Sequence, residues 1–341
     1  MPAPLKLVFL GSDSIARPLL DWLAPTGSGL AGEGSAAARL VAIYTQPDRP
    51  AGRGQKVEPG PIKQWAQAHG VPVRQPEKLT DDERAWLADQ QADVALVMAY
   101  GHILREAFLA TPRLGTLNLH ASILPKYRGA SPIQTAVACG ERETGVTLMR
   151  VVRQLDAGPV ADMEGVPIGP LDTAGEVEAR LAAAAVPLLA RMLPRLARDE
   201  LVFQEQDHGA ATYCRRLVKT DGVLDFAAPA AVLAARINGL FPWPGCAVEI
   251  SGVPVKLGLA DAGARVADPG YNAATPGTVV GADAEGLLVK AGEGVLRLRR
   301  LQRPGGRMLP AAEFLRGFLL PTGARLPSHP MPRLVDTKPL R

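Results

Sequence analysis

Two rhythms of apolar residues divide the chain. Up to about residue 150, short continuous apolar runs alternate with stretches spaced for helices. Beyond about residue 240, short runs recur between glycine turns instead. The first pattern predicts buried strands over 5–10, 40–45, 71–74 and 92–100, with helices over 15–23, 62–69 and 81–90. Thr80, with Glu83 three residues on, reads as a capping box for the last helix. Such alternation is the mark of an α/β, doubly wound, mostly parallel Rossmann-like sheet. A long Ala/Leu/Arg helix is expected over 173–199, kinked or broken by Pro187 and Pro194. After a helix at 230–238 and the FPWPG turn, five short strands at 247–250, 253–259, 277–280, 286–290 and 295–301 suggest a small OB-like β-barrel. The domains implied are 1–202, a polar linker over 203–226, the barrel over 227–330 and a tail over 331–341.

Within the first pattern, TLNLHASILPKYRGASPIQ (116–134) stands out. Leu117 and Leu119 alternate with Asn118 and His120, which places the amide and the imidazole side by side on one face of a strand. A basic, aromatic turn follows, and Pro132 opens a helix where its missing N–H costs nothing. The pair therefore lies near the carboxyl end of a strand, where open α/β sheets bind ligands. A second loop, VVRQLDAGPVADM (151–163), offers the carboxylate of Asp156 before a turn-forming Ala-Gly-Pro. The pattern alone leaves a structural histidine and an Asn/His/Asp site both open.

Composition narrows the class. With 47% hydrophobic and 21% charged residues in 341, the chain reads as an ordinary globular protein large enough for two domains. Its three cysteines are far apart, which argues against a disulfide framework or a zinc site, and a reduced cytoplasm fits best. No stretch is long and apolar enough for a membrane span, and MPAPLKLVFLG lacks a secretory leader's basic start. Charge is uneven. Residues 1–200 carry 21 basic and 22 acidic side chains, and residues 201–341 carry 17 and 12. The basic second half hints at a polyanion, as do Arg297, Arg299, Arg300 and Arg303 on the last strand. The Pro/Gly-rich stretch 46–60, with Arg49, Arg53 and Lys56, reads as a solvated loop or as a basic segment that orders on phosphates. Residues 25–38 look like a small-residue surface insertion, and His102 in the AYGHIL turn is another candidate ligand, set beside its reading as an incidental turn histidine.

Taken together, QPDRPAGRG (46–54), AYGHIL (99–104), NLHASILPKYRGASPIQ (118–134), LDAGPVADM (155–163), YCRRLVKTDGVLDF (213–226) and FPWPG (241–245) resemble the methionyl-tRNA formyltransferase family along nearly the whole chain. The Asn-x-His, SILP, Arg-Gly and Asp-x-Gly set alone is similar to the wider folate-dependent formyltransferases. The 46–54 loop and the second domain point to the tRNA members. The departures are Ile123 for a usual Leu, Arg105 for a common Pro, a less Lys-rich linker and the extra length at 25–38.

The resemblance implies transfer of a formyl group from 10-formyltetrahydrofolate to the methionine α-amine of initiator tRNA by a cytoplasmic enzyme. It implies no metal; a monomer is expected, since nothing in the sequence demands an interface. It puts Asn118, His120 and Asp156 at the catalytic positions and Ser122, Ile123, Leu124 and Pro125 at the folate. Arg53, with Lys56 in the same loop, and Lys219 in the linker fall at the tRNA. An amine of pKa about 7.7–8 needs little activation. The demanding part is the oxygen that gains charge, which Asn118 and a protonated His120 are expected to meet, with Asp156 holding the imidazole. Two alternatives stand beside this reading: a formyltransferase for a sugar nucleotide or other small amine, and a non-catalytic tRNA-binding protein.

Overall fold

A computed structural model describes residues 4–24, 37–51, 56–263 and 273–339. Most of the expected insertion at 25–38, and Arg53, lie outside the described residues. The chain divides into two units. One takes in Met1–Arg128, Gly145–Val166 and Glu178–Ala211; the other takes in Gly129–Thr144, Pro167–Val177 and Thr212–Arg341.

The first unit is built on strands β1 (Leu5–Leu10), β2 (Ala38–Tyr44), the short pair β3 (Arg49–Ala51) and β4 (Lys56–Glu58), then β5 (Val73–Arg74), β6 (Val94–Val97) and β7 (Thr116–His120). β8 (Arg128–Gly129), β9 (Glu143–Arg150) and β10 (Val160–Pro167) follow. Seven of them form one sheet in the order β10-β9-β7-β6-β1-β2-β5. β2, β6 and their outer neighbours β5 and β7 run parallel to β1, and β9 runs antiparallel to β7. The apolar runs explain the parallel centre: Leu7, Val8, Phe9 and Leu10 are all fully buried, which requires cover on both faces. Each such side chain contributes about 1.5–3 kcal/mol on leaving water.

Helices α1 (Arg17–Trp22), α2 (Pro61–Ala68), α3 (Asp81–Asp89) and α4 (Glu106–Leu109) supply the crossovers. Thr80 caps α3 by accepting the Glu83 N–H at 3.4 Å, but the expected return bond from Glu83 is spent elsewhere, on Arg74. The stretch 46–60 departs from the expected irregular loop. β3 and β4 pair as a small antiparallel ribbon, Arg49 opposite Glu58, and its base is fixed by Asp48, which binds Lys63 and Gln75.

The second unit holds α5 (Pro132–Ala138) and the first turn of α6 (Ala174–Ala197). α6 runs on through Pro187 and Pro194 without the expected break. Its apolar stripe, Leu181, Ala185, Leu188, Leu189, Met192 and Leu193, is buried. Pro187 and Ala183, whose carbonyl loses its helical partner to Pro187, are both exposed, which leaves that carbonyl open to hydration.

Beyond β11 (Tyr213–Cys214) and α7 (Ala230–Leu240), strands β12 (Cys246–Ile250), β13 (Val253–Ala262), β14 (Val279–Ala282), β15 (Leu287–Lys290) and β16 (Val295–Gln302) form an antiparallel sheet in the order β12-β13-β16-β15-β14. β17 (Leu309–Pro310) adds to β16, α8 (Ala311–Arg316) follows, and β18 (Val335–Asp336) pairs with β11. These are the five strands expected of the OB-like part, shifted by a few residues. β12 shows the period-two logic cleanly, with Cys246, Val248 and Ile250 buried and Ala247 and Glu249 exposed. Burial pushes the Cys246 thiol up to about 12.

The polar stretch 203–226 is ordered throughout the described chain, held by side chains rather than by periodic apolar residues. Asp221 is fully buried and takes two hydrogen bonds from Arg215 and one from the Val218 N–H. Burial pushes its carboxyl up, but Arg215 and the Val218 amide outweigh it and hold it below the usual range.

Candidate active site

Strand order reverses beside β1. The chain moves from β1 to β2 and β5 on one side, then returns to β6 and β7 on the other. The crevice outside the carboxyl ends of β1 and β6 is therefore where a ligand is expected. Ser12 stitches its rim, accepting the Gln46 N–H at 3.0 Å and donating to the Tyr100 carbonyl at 3.3 Å. Gly11 has to be glycine, because a Cβ there would meet the Met98 carbonyl at 2.6 Å. A cleft of about 310 Å3 opens between Gln46, Asp48, Arg49, Glu77 and His102. Tyr100 Oη and His102 Nε2 are buried without a hydrogen-bond partner among the described residues. Burial and then Glu83 raise the Tyr100 phenol's pKa, while burial and then Arg49 lower that of His102. His102, a candidate ligand that sequence reasoning set aside as an incidental turn histidine, lines this cleft.

β7 ends at the same edge. Its Leu117 and Leu119 are buried, His120 is 6% exposed, and Asn118 is half-buried between Val97 of β6 and Met149 of β9. The Asn118 side-chain amide makes no hydrogen bond among the described residues, which leaves both its N–H donors open to a ligand oxygen. His120 Nε2 donates to the Tyr127 carbonyl at 2.9 Å, and its Nδ1 stands 3.8 Å from an Asp156 carboxylate oxygen. The Asp156 side chain remains 16% exposed, so the group is open on one side. The two sequence-predicted segments thus converge.

Local geometry explains how each arrives. Asp156 adopts φ +46°, a left-handed conformation that an Asp tolerates better than most residues. Gly158 lies against the Arg150 carbonyl so closely that a Cβ would stand 1.9 Å from it. Ser122 is fully buried and its hydroxyl donates to the Lys126 carbonyl at 2.7 Å. Thr147 ties the turn from the next strand, donating to the Ser122 carbonyl at 2.6 Å and accepting the Leu124 N–H at 3.2 Å. Leu124 is buried, Ile123 is half-buried, and the Leu124–Pro125 bond is cis. Two neighbours received no role from the sequence, Arg128 being noted only within the Arg-Gly motif. Arg128 is fully buried and bonds Gln206 at 2.7 Å, and Gln206 in turn donates to the carbonyls of Asp156 and Gly158 at 2.9 and 2.7 Å. Only the run of polar residues at 204–207 hinted at Gln206.

The expected nucleic-acid residues separate into groups. Lys56 is exposed on β4, and Lys219 is exposed on a short turn, Lys219–Gly222, in the second unit. Arg297 and Arg299 are different. Both are tied to Asp261, and Arg297 also pairs with Asp283, so their charge is largely neutralised. Among the described residues no cluster of His, Cys, Asp or Glu gathers as a metal site, and no helix is long and apolar enough to cross a membrane.

The chain matches the family model for formyl transferases over residues 6–193 and that for the formyl transferase C-terminal domain over 216–319. It is 42% identical to a methionyl-tRNA formyltransferase of Aromatoleum aromaticum over 324 residues, covering 95% of this chain and 97% of that one. This chain belongs to the methionyl-tRNA formyltransferase family. A second member, from Chromobacterium violaceum, is 41% identical and covers 94% of this chain and 99% of its own. The fold recurs in a crystal structure of an N-formyltransferase from Helicobacter canadensis in complex with folinic acid and dTDP-3-aminofucose. That match has a TM-score of 0.62 at 16% identity and covers 86% of this chain and 98% of that one.

Proposed function

We propose that the protein transfers the formyl group of 10-formyltetrahydrofolate to the methionine α-amine of initiator tRNA, with Asn118, His120 and Asp156 at the reacting atoms. The observation that carries this is the convergence of a strand-borne amide and imidazole with a loop carboxylate, His120 to Asp156 at 3.8 Å, beside the crevice at the strand reversal. A membership shared over nearly the whole length of methionyl-tRNA formyltransferases supports the substrate assignment. Cytoplasmic, monomeric action is part of the same reading.

The folate supplies the formyl group. Its heteroaromatic ring requires hydrogen-bonding partners, and the unpartnered Tyr100 Oη and His102 Nε2 at the crevice fit that requirement. The 122–125 turn, fixed through Thr147, would flank it. Asn118 offers N–H donors to the oxygen that gains charge as the amine adds, a contribution of about 3–4 kcal/mol for a well-placed donor. His120 has an oxygen acceptor facing each ring nitrogen, the Tyr127 carbonyl and the Asp156 carboxylate. Nε2 is committed to the Tyr127 carbonyl, whereas Nδ1, 3.8 Å from Asp156 and beyond hydrogen-bond range of it, is the nitrogen left to meet the reacting centre, and Asp156 would receive, through water, the proton lost by the amine. Lys56 and Lys219, with Arg53, are the cations offered to the tRNA backbone.

Single-turnover transfer of labelled formyl from the folate separates the readings. Charged initiator tRNA is expected to be formylated far faster than amino sugars or free amino acids. Preference for a small amine would replace the tRNA assignment, and absence of transfer to any amine would leave only RNA binding.

A further inference from the structure

Asp156 sits on a loop, and its backbone conformation is one that residues with a Cβ seldom adopt. Something outside the loop has to hold the carboxylate toward His120. Gln206, 8% exposed and 50 residues further on, is placed to do so. Its Oε1 accepts from Nε and Nη2 of the fully buried Arg128, at 3.2 and 2.7 Å. A guanidinium has no acceptor, so this fixes which way the amide faces. The Nε2 group must then point at the carbonyls of Asp156 and Gly158, which it meets at 2.9 and 2.7 Å. Gln204 seals the next turn through paired backbone bonds with Val160, both 2.8 Å. The same Nη2 of Arg128 also lies 3.0 Å from His208 Nδ1. Arg128 directly follows Tyr127, whose carbonyl orients His120. One buried anchor at residues 127–128 therefore reaches both halves of the pair, the imidazole through a carbonyl and the carboxylate loop through an amide.

We propose that Arg128 and Gln206 are positioning residues, a buried guanidinium–amide strut that sets the spacing of Asp156 from His120. The proposal rests on the reading of Asp156 as a participant in formyl transfer. The competing view is that Gln206 merely satisfies a buried arginine.

Gln206→Glu separates the two in the full-length protein. It keeps an oxygen for Arg128 but turns the donor facing two carbonyls into an acceptor. Single-turnover rates, KM for both substrates and thermal melting are measured for Gln206→Glu, Gln206→Ala, Asp156→Asn and the Asp156→Asn/Gln206→Glu double variant. The strut requires the Gln206→Glu transfer rate to fall about 10²-fold, the scale of a ~1 Å misplacement, with KM within about twofold and melting close to wild type. Gln206→Ala carries the same expectation should the glutamate disturb folding. In the Asp156→Asn background the further loss should be under about threefold, because the two act through one carboxylate. A slow Asp156→Asn beside Gln206 variants of wild-type rate overturns the strut alone, as does an undiminished 10²-fold loss in the double variant. Asp156→Asn at the wild-type rate overturns the reading of Asp156 and the strut together.

Discussion

Asn118 and His120 reach the proposed site along a strand, whereas Asp156 reaches it along a loop, and the two routes are stabilised differently. β7 is hydrogen-bonded on both sides, to β6 and β9, and that ladder sets the height of every side chain on it. Two polar residues at period two then share a face with no further device. The Asp156 loop has no ladder at that point. It relies on a left-handed residue, on the glycine pressed against Arg150 and on the amide of Gln206. A ladder places several groups at once from local sequence. A loop places one, and needs partners drawn from elsewhere in the chain.

The largest effect expected is on chemistry. His120→Ala should lower single-turnover formyl transfer about 10³-fold or more, near the loss from removing a principal oxyanion donor, with the protein folded by circular dichroism. Retention of a near-wild-type rate would detach the strand from the reaction. Next comes the strand as scaffold. Leu119 is buried between the two polar positions, so Leu119→Ala should cost about 2–5 kcal/mol in urea unfolding. Because the ladder is backbone, the rate per folded molecule should stay within about threefold, whereas a parallel collapse of rate would mean that packing, not the ladder, holds Asn118 and His120. Gly158→Ala tests the loop in the opposite sense. The new Cβ cannot stand 1.9 Å from the Arg150 carbonyl, so the loop must shift. Turnover is expected to drop about 10²-fold, with KM for folate little changed. An unaltered kcat would show that the loop tolerates displacement.

The same contrast explains what the sequence disclosed. Apolar continuity in 5–10 and 92–100 and the alternation at 116–120 follow from local burial, so the parallel sheet and the Asn118/His120 pair were legible. Asp156 was legible as a residue, although its approach to His120 was not, because that depends on Gln206 at a separation of 50 residues. The stretch 203–226 carries no apolar period, yet it is ordered by Gln206, by the pairing of Arg215 with the buried Asp221 and by a bridge at Gln204. α6 shows the converse. Local rules expected Pro187 and Pro194 to interrupt it, and the buried stripe kept it whole because the freed carbonyl of the exposed Ala183 is open to hydration.

The smallest effect concerns cations, where the distinction between tethered and untethered groups recurs. Lys219 is exposed, while Arg299 on β16 is 22% exposed and bound to Asp261 and Glu285. Composition cannot distinguish them, since both count as one positive charge in a basic half. Their fields differ. A cation already facing carboxylates releases little when a phosphate arrives, because it has to abandon a partner, whereas a solvated lysine exchanges only counterions and water. Lys219→Gln should weaken initiator tRNA binding by about 1 kcal/mol and reduce the slope of log affinity against log salt by about 0.7–0.9, with the affinity for folate unchanged. Arg299→Gln should leave both the affinity and the salt slope within error. Filter binding across a salt series measures the two variants side by side. A slope change for Arg299→Gln equal to that for Lys219→Gln would mean that RNA pulls the arginine out of its carboxylate cage, and the cage would then be a reserve of charge for RNA binding.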